Sequence, residues 1–275
     1  MSGESIPESL LPFARPEVHR RAAEIIRRHS THPRDIREFA LEGLALGGVR
    51  RALELGCGFG RFSQALAHCL PRDAQFVAID SQEANREPWQ ESLREVGRGG
   101  TFLCQRIADR LDFAAAHFDL VAASYSLYFF PDIVPEVARV LAPDGVFLAI
   151  THSRRSMREL FELAGIDPEG SPHDELLGRF SAEDGRLRLE RHFASVEARP
   201  YPNRLAFDRT SLAAFLEYAR FKLPMLASDA DERRLARLEE RAIGMLSQRT
   251  RIEIAKDDAV FCCRGPRRAG EPPCR

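Results

Sequence analysis

The run Leu53-Glu54-Leu55-Gly56-Cys57-Gly58-Phe59-Gly60-Arg61-Phe62-Ser63 changes character twice within a few residues. Arg51 to Leu55 reads as a short buried strand. Glycines then occupy every second position, at 56, 58 and 60, and Phe62, Ala65 and Leu66 return at helical spacing. The stretch is therefore strand, glycine turn, helix. Glycine lets the backbone turn sharply and approach a ligand, because no Cβ intervenes. The helix that follows aims unsatisfied N–H groups back at the turn. At the carboxyl end of a parallel strand, such a turn is a nucleotide or nucleoside site. A dinucleotide fingerprint, G-x-G-x-x-G, would place its third glycine at position 61, which is Arg61. A phosphate-binding P-loop is excluded, since no Gly-Lys-Ser/Thr follows.

Outward from that turn, strands and helices alternate. Ala74 to Ile79 reads as a strand ending at Asp80-Ser81, then Glu83 to Val96 as a helix broken by Gly97-Arg98-Gly99-Gly100. Thr101 to Gln105 and Phe118 to Ser124 are the third and fourth strands. A helix over Ile133 to Leu141, a turn at Pro143-Asp144-Gly145 and a fifth strand over Val146 to Thr151 follow. This alternation predicts a parallel α/β sheet. Ahead of it, residues 1–12 read as an irregular arm, with helices from Pro16 and from Pro33 to Leu44. Beyond Thr151 the spacing predicts a helix over Met157 to Ala164, loop over Gly165 to Gly185, and a half-exposed strand over Phe193 to Arg199. Helices over Thr210 to Leu223 and Ala230 to Leu246 come next, then a strand pair or one bent strand over Ile252 to Cys263. The expected organisation is an N-terminal helical cap (1–46) and a ligand-binding domain (47–264). That domain carries lid insertions around 153–190 and 209–249, and a disordered tail follows (265–275).

Bulk composition narrows the partners. Forty basic and 41 acidic residues leave a net charge of −1 over 275 residues, which disfavours nucleic acid as the main partner. A hydrophobic content of 44% supports a packed core. Six cysteines without a CxxC pair fit free thiols in a reducing cytoplasm. The first fifteen residues lack a signal-peptide core, and no apolar run reaches the ~18 residues of a membrane span. A cytoplasmic protein is expected.

Four stretches in this order resemble the class I S-adenosylmethionine-dependent methyltransferases, in particular bacterial small-molecule enzymes. They are Glu54–Gly60 (ELGCGFG), Phe76–Ser81 (FVAIDS), Phe118–Ser124 (FDLVAAS) and Ala138–Thr151 (ARVLAPDGVFLAIT). The resemblance covers roughly residues 49–152. It implies a Rossmann-like, seven-stranded, mostly parallel sheet closed by an antiparallel hairpin, with helices on both faces and an added helical cap or lid. It also implies S-adenosyl-L-methionine as methyl donor, S-adenosyl-L-homocysteine as product, and a small-molecule acceptor.

Site roles follow from the same resemblance. Gly56, Cys57, Gly58 and Gly60 would let the backbone approach the donor, with Glu54 beneath the turn near the donor's amino group. Cys57 would not be a nucleophile. Asp80, with Ser81 beside it, would accept the ribose hydroxyls; a helix N-cap is the other reading of Asp80, and a carboxylate serving only turn N–H groups that of Glu54. The position where the family commonly places an acid for adenine is Ile107, so Asp109 or the backbone at Ala108 would read the ring. Ser124 ends the fourth strand beside the donor. Tyr125 and Tyr128 line the acceptor pocket or belong to the core.

A general base is needed only if the acceptor loses a proton. His152, Tyr128 and His19 are the candidates, with a structural role the alternative for His152. His19 is also a substrate candidate, and Tyr218, on the aromatic helix that also carries Phe215 and Phe221, is a further substrate candidate or a core residue. His29 and His32 read as surface, and no metal site is expected. An RNA or protein acceptor and a non-catalytic donor-binding protein stay open, with a nicotinamide-dependent oxidoreductase least favoured. Oligomeric state is left open.

Overall fold

The computed structural model describes residues 15–227 and 231–268. The chain divides into two compact units. The larger comprises Arg34–Ser153, Arg179–Tyr201 and the described residues from Asp258 onward. It contains a seven-stranded sheet in the order β3-β2-β1-β4-β5-β9-β6. The strands are β1 (Arg51–Leu55), β2 (Gln75–Asp80), β3 (Thr101–Cys104), β4 (Phe118–Ser124), β5 (Leu141–His152), β6 (Phe193–Tyr201) and β9 (Asp258–Pro266). β1 to β5 are parallel, while β9 runs antiparallel to both β5 and β6.

β1 is central because its side chains leave water on both faces. Leu53 and Leu55 are fully buried, and Leu55 stands opposite Ile79 of β2. The connecting helices of this unit are α2 (Ile36–Leu41), α3 (Arg61–Cys69), α4 (Arg86–Arg94), α5 (Val134–Val140) and α8 (Gly185–Leu189). Chain order reverses between β1 and β4, since β2 and β3 lie on one side of β1 and β4 and β5 on the other. In a parallel sheet that reversal opens a crevice at the carboxyl ends of the strands, where ligands bind.

The smaller unit comprises the described residues of 1–33, Arg154–Gly178 and Pro202–Asp257. Its helices include α1 (Pro16–His29), α6 (Arg158–Ala164), α9 (Leu212–Leu226) and α10 (Glu232–Gln248), with a two-stranded antiparallel sheet of β7 (Arg204–Phe207) and β8 (Ile252–Ala255). Leu235, Leu238, Ala242 and Leu246 give α10 one buried stripe at helical spacing. They share a core with Leu160, Phe161, Phe207, Phe215, Tyr218 and Ile254.

The expected parallel sheet with an antiparallel close is present. Several details differ from the sequence reading, among them the turn expected at Pro143-Asp144-Gly145, which lies within β5. The stretch 165–185, expected as loop, contains α7 (Pro172–Arg179) and the first residue of α8; its apolar residues are too few for a readable stripe. The late strand pair is split, β8 pairing with β7, a strand the sequence reading missed, and β9 closing the main sheet against β6. Residues 34–46 group with the sheet, whereas the N-terminal helix α1 groups with the insertions. Residues 264–266 belong to β9; the expected arm at 1–12 and the remainder of the tail from 269 lie outside the described residues. Among the described residues, no helix is long and apolar enough to cross a membrane.

Candidate functional site

The glycine turn leaves β1 at the crevice. Gly56 donates its N–H to Ile79 O at 2.8 Å, fastening the turn to the end of β2. Gly60, at φ +89°, caps α3 in the left-handed conformation that side chains avoid. Gly58, at φ +52°, donates its N–H to Asp80 Oδ2 at 2.8 Å. A Cβ built on Gly58 would meet nothing within 4 Å. The turn therefore opens onto space at its middle glycine.

Asp80 also accepts from the Gln82 N–H at 2.9 Å and from Asn85 Nδ2 at 3.1 Å, both at Oδ1. Asp80 caps no helix, since the 3-10 turn Glu83–Asn85 has Gln82 at its cap position and neither it nor α4 has a side-chain cap bond; a carboxylate has about four acceptor positions and one on Oδ2 remains. Beside it, Asn85 is 4% exposed and its Oδ1 has no donor. A buried acceptor of that kind is left for an ordered water or for a hydroxyl or amino group of a ligand.

Glu54 projects from β1 beneath the turn and is 1% exposed. Its partner is the Ser63 hydroxyl, which itself accepts the Trp89 indole N–H at 2.8 Å. Burial, reinforced by the nearby Asp80 charge and offset in part by Ser63, pushes the Glu54 carboxyl up to about 8. The reading of Glu54 as an acceptor of turn N–H groups is set aside, since its donor is a side chain of α3. Among the described residues, neither Glu54 nor Asp80 is paired with Lys or Arg; every donor they have is neutral. The turn is therefore a place where cationic charge is wanted and anionic charge is resisted.

These donor and acceptor types fit the expected nucleoside cofactor. Backbone without Cβ at Gly58, hydroxyl acceptors at Asp80 and Asn85, and a carboxyl at Glu54 suit a ligand with ribose hydroxyls and a positive head. Cys57 is 6% exposed and burial holds its thiol well above the ordinary range, which keeps it from nucleophilic work. Ser81 is exposed next to Asp80, and Ser124 is half-buried at the end of β4. Ala108 and Asp109 are both exposed on the loop after β3, while Ile107 turns inward at 9% exposure.

The second half of the site follows β4. Tyr125 takes φ +53°, strained for a non-glycine residue, and its N–H bonds Ile150 O at 2.9 Å. Ser126 reaches back and donates to Leu55 O at 2.6 Å, so this segment touches the residue just before the glycine turn. The Tyr125 hydroxyl donates to Asp258 Oδ2 at 2.8 Å, and His152 Nδ1 lies 2.6 Å from Asp258 Oδ1. The Tyr125 and His152 rings are 4.6 Å apart, and Tyr128 stacks on His152 at 6.2 Å.

Burial, and then the Asp258 charge, hold both phenols above their ordinary range. Tyr128 is 2% exposed and stays protonated, so it is withdrawn as a candidate base. His19 and Tyr218 belong to the smaller unit, where His19 stacks on Phe221 at 5.7 Å. Tyr218 is fully buried in that unit's core, which corrects its assignment as a substrate contact. His29 donates through Nδ1–H to Ala206 O at 3.1 Å and stacks on Phe207 at 4.5 Å, so it is structural rather than a loose surface group. The sequence reading missed Ser63, Asn85, Trp89, Ser126 and Asp258. Only Ser63 carried a signal, being inside the glycine stretch.

Known proteins share this architecture. A family model described as a methyltransferase domain matches residues 52–145. The methyltransferase YcgJ of Bacillus subtilis (strain 168), itself uncharacterized, is 28% identical over 145 residues, 52% of this chain and 49% of that protein. The matched stretch thus spans about half the length of that curated relative. Among solved structures, a proposed methyltransferase from Bacillus halodurans C-125 is 16% identical over 84% of this chain and 99% of its own, with a TM-score of 0.55. The [4+2]-cyclase SpnF is 17% identical over 95% of this chain and 98% of its own, with a TM-score of 0.53. At such identities these two structures speak for the fold alone.

Proposed function

We propose, starting from a class I S-adenosylmethionine-dependent methyltransferase domain over residues 52–145, that this protein transfers a methyl group from S-adenosylmethionine to a small-molecule acceptor. The observation that carries the reading is the pair of carboxyl groups, Glu54 and Asp80, set against the glycine turn with neutral donors only. A dinucleotide would bring an anionic pyrophosphate to a turn that needs no more negative charge. A sulfonium nucleoside with an ammonium group brings the opposite sign.

Once bound, the cofactor supplies a methyl carbon already activated by positive sulfur. The chain's own share of the work is then to position and to exclude water. On this reading Asp80 and Asn85 would hold ribose hydroxyls, Glu54 would balance the positive head, and the Gly58 backbone would allow close approach. Ser126 locks the segment after β4 against Leu55, which fixes Tyr125 and Tyr128 relative to the turn. The cyclase neighbour is a reminder that a fold does not decide a reaction. The test is incubation with methyl-labelled S-adenosylmethionine and a fractionated cell extract. Label is expected in the low-molecular-mass fraction. Label confined to the RNA or protein fraction would replace the acceptor class, and no label with intact cofactor binding would favour a non-catalytic role.

A further inference from the structure

Resting on the methyl-transfer reading above, we propose that Trp89 is a positioning residue of the donor site: its indole N–H commits the Ser63 hydroxyl to Glu54 and so favours the ionised carboxylate that a cationic donor requires. Trp89, Ser63 and Glu54 are each at most 1% exposed and lie in series. Trp89 Nε1 donates to Ser63 Oγ at 2.8 Å, and the Ser63 hydroxyl donates to Glu54 Oε2. An indole N–H only donates, and an ionised carboxylate only accepts. The hydroxyl between them therefore accepts from Trp89 and keeps its proton for Glu54. Hydrogen bonds in a buried chain polarise one another, so the indole strengthens the bond that Ser63 makes. Among the described residues Glu54 has no other hydrogen-bond donor.

Trp89 is one of three donors on a single face of α4. Asn85, immediately before the helix, donates through Nδ2 to Asp80 Oδ1 at 3.1 Å, and the Ser92 hydroxyl donates to Phe59 O in the glycine turn at 3.0 Å. Positions 85, 89 and 92 are spaced to share one stripe of a helix. Each side chain ends on a different part of the site: the acid that ends β2, the acid beneath the turn, and the turn backbone. The approach is close, since a Cβ on Gly60 would stand 3.0 Å from both Ser92 Cβ and Trp89 Cα. Core packing accounts for the indole ring, which meets Phe76 and Phe102 at 6.0 and 5.7 Å. It does not account for a stripe of donors aimed at three parts of one site. The titratable groups that face Glu54 are Asp80 from β2, whose charge opposes ionisation, and the Cys57 thiol of the turn, which burial keeps neutral.

Two readouts on the full-length protein test the proposal. Trp89 is the only tryptophan of the chain, so biosynthetic replacement by β-(3-benzothienyl)alanine exchanges this one N–H for sulfur and keeps the ring's shape. In ¹³C-carboxyl spectra of the ligand-free protein, the Glu54 midpoint is expected to rise by about 0.5–1 pH unit on replacement. In an S63A background the replacement is expected to move it no further. A midpoint within about 0.2 pH unit of wild type, or the same rise without the Ser63 hydroxyl, overturns the positioning role. Affinity for S-adenosylhomocysteine, measured by calorimetry, is expected to fall about 3–10-fold near pH 7 and to match wild type above both midpoints, where Glu54 is ionised in either protein. The ratio of the two affinities cancels the ligand's own titration. A loss independent of pH, or no loss, overturns the proposal. Failure of wild type to bind the nucleoside would strike the methyltransferase reading and leave the carboxyl midpoints to judge Trp89.

Discussion

Gly58 donates its backbone N–H to Asp80 Oδ2 at 2.8 Å, so the acid that ends β2 is fastened to the middle of the turn that leaves β1. One carboxylate thus shapes the turn and keeps acceptor capacity for a ligand. Asp80→Ala should lower S-adenosylmethionine affinity by about 10–100-fold, the one charge-assisted bond open at Oδ2 being worth about 1.5–3 kcal/mol. Circular dichroism should stay native. Affinity unchanged in this variant would reduce Asp80 to an acceptor for turn N–H groups.

Glu54 makes stability fall as the solution becomes alkaline. Its carboxyl titrates at about 8 in the folded protein against the ordinary 4.5, so the folded state keeps a proton that the unfolded chain releases. The contribution is complete below about pH 4.5 and is lost as pH rises through about 8, on the order of 5 kcal/mol in all. Denaturant midpoints should drop over that interval in wild type and much less in Glu54→Gln. A cationic ligand favours the ionised form, so cofactor binding should release a proton at pH 7. Calorimetry in buffers of different ionisation enthalpy measures it.

The single tryptophan reports on this group. Trp89 is fully buried and donates to Ser63, which bonds Glu54. Its emission should change with a midpoint near pH 8, and the change should vanish in Glu54→Gln. Ser63→Ala removes the bond that favours the ionised carboxylate, so it should move the midpoint higher. A midpoint shared by wild type and Glu54→Gln would assign the titration elsewhere.

Gly58 and Gly60 separate fold from site. A Cβ on Gly60 would stand 3.0 Å from Trp89 Cα, in a left-handed position at φ +89°, so Gly60→Ala should cost about 2 kcal/mol or more of stability. At Gly58 the space is open, so Gly58→Ala should cost only about 1–2 kcal/mol of backbone strain. Its methyl would enter the space where the cofactor is expected, and binding should weaken at least tenfold. Urea denaturation and calorimetry on the same samples check both.

The features legible in the sequence are those written in contiguous residues. The change from buried strand to glycine turn to helix around Gly56–Gly60 needs no distant contact, and the parallel order of β1 to β5 follows from their alternation with helices. What stayed hidden depends on pairings far along the chain. Asp258 meets His152 across 106 positions, and nothing near either residue announces the other. β7 is short and finds its pattern only against β8. Tyr218 sits on an aromatic helix that reads alike as pocket or core, and burial assigns it to the core. Ser63 and Trp89 became meaningful once Glu54 was seen to have no other partner.

The central claim, that the Gly56–Gly60 turn with Glu54 and Asp80 receives a cationic nucleoside, is tested most directly by isothermal calorimetry. The full-length protein is titrated with S-adenosylmethionine, S-adenosylhomocysteine and NAD. The account predicts one-to-one binding of the first two, weakened in Asp80→Ala, and no binding of NAD. Binding of NAD with neither sulfur nucleoside would contradict it.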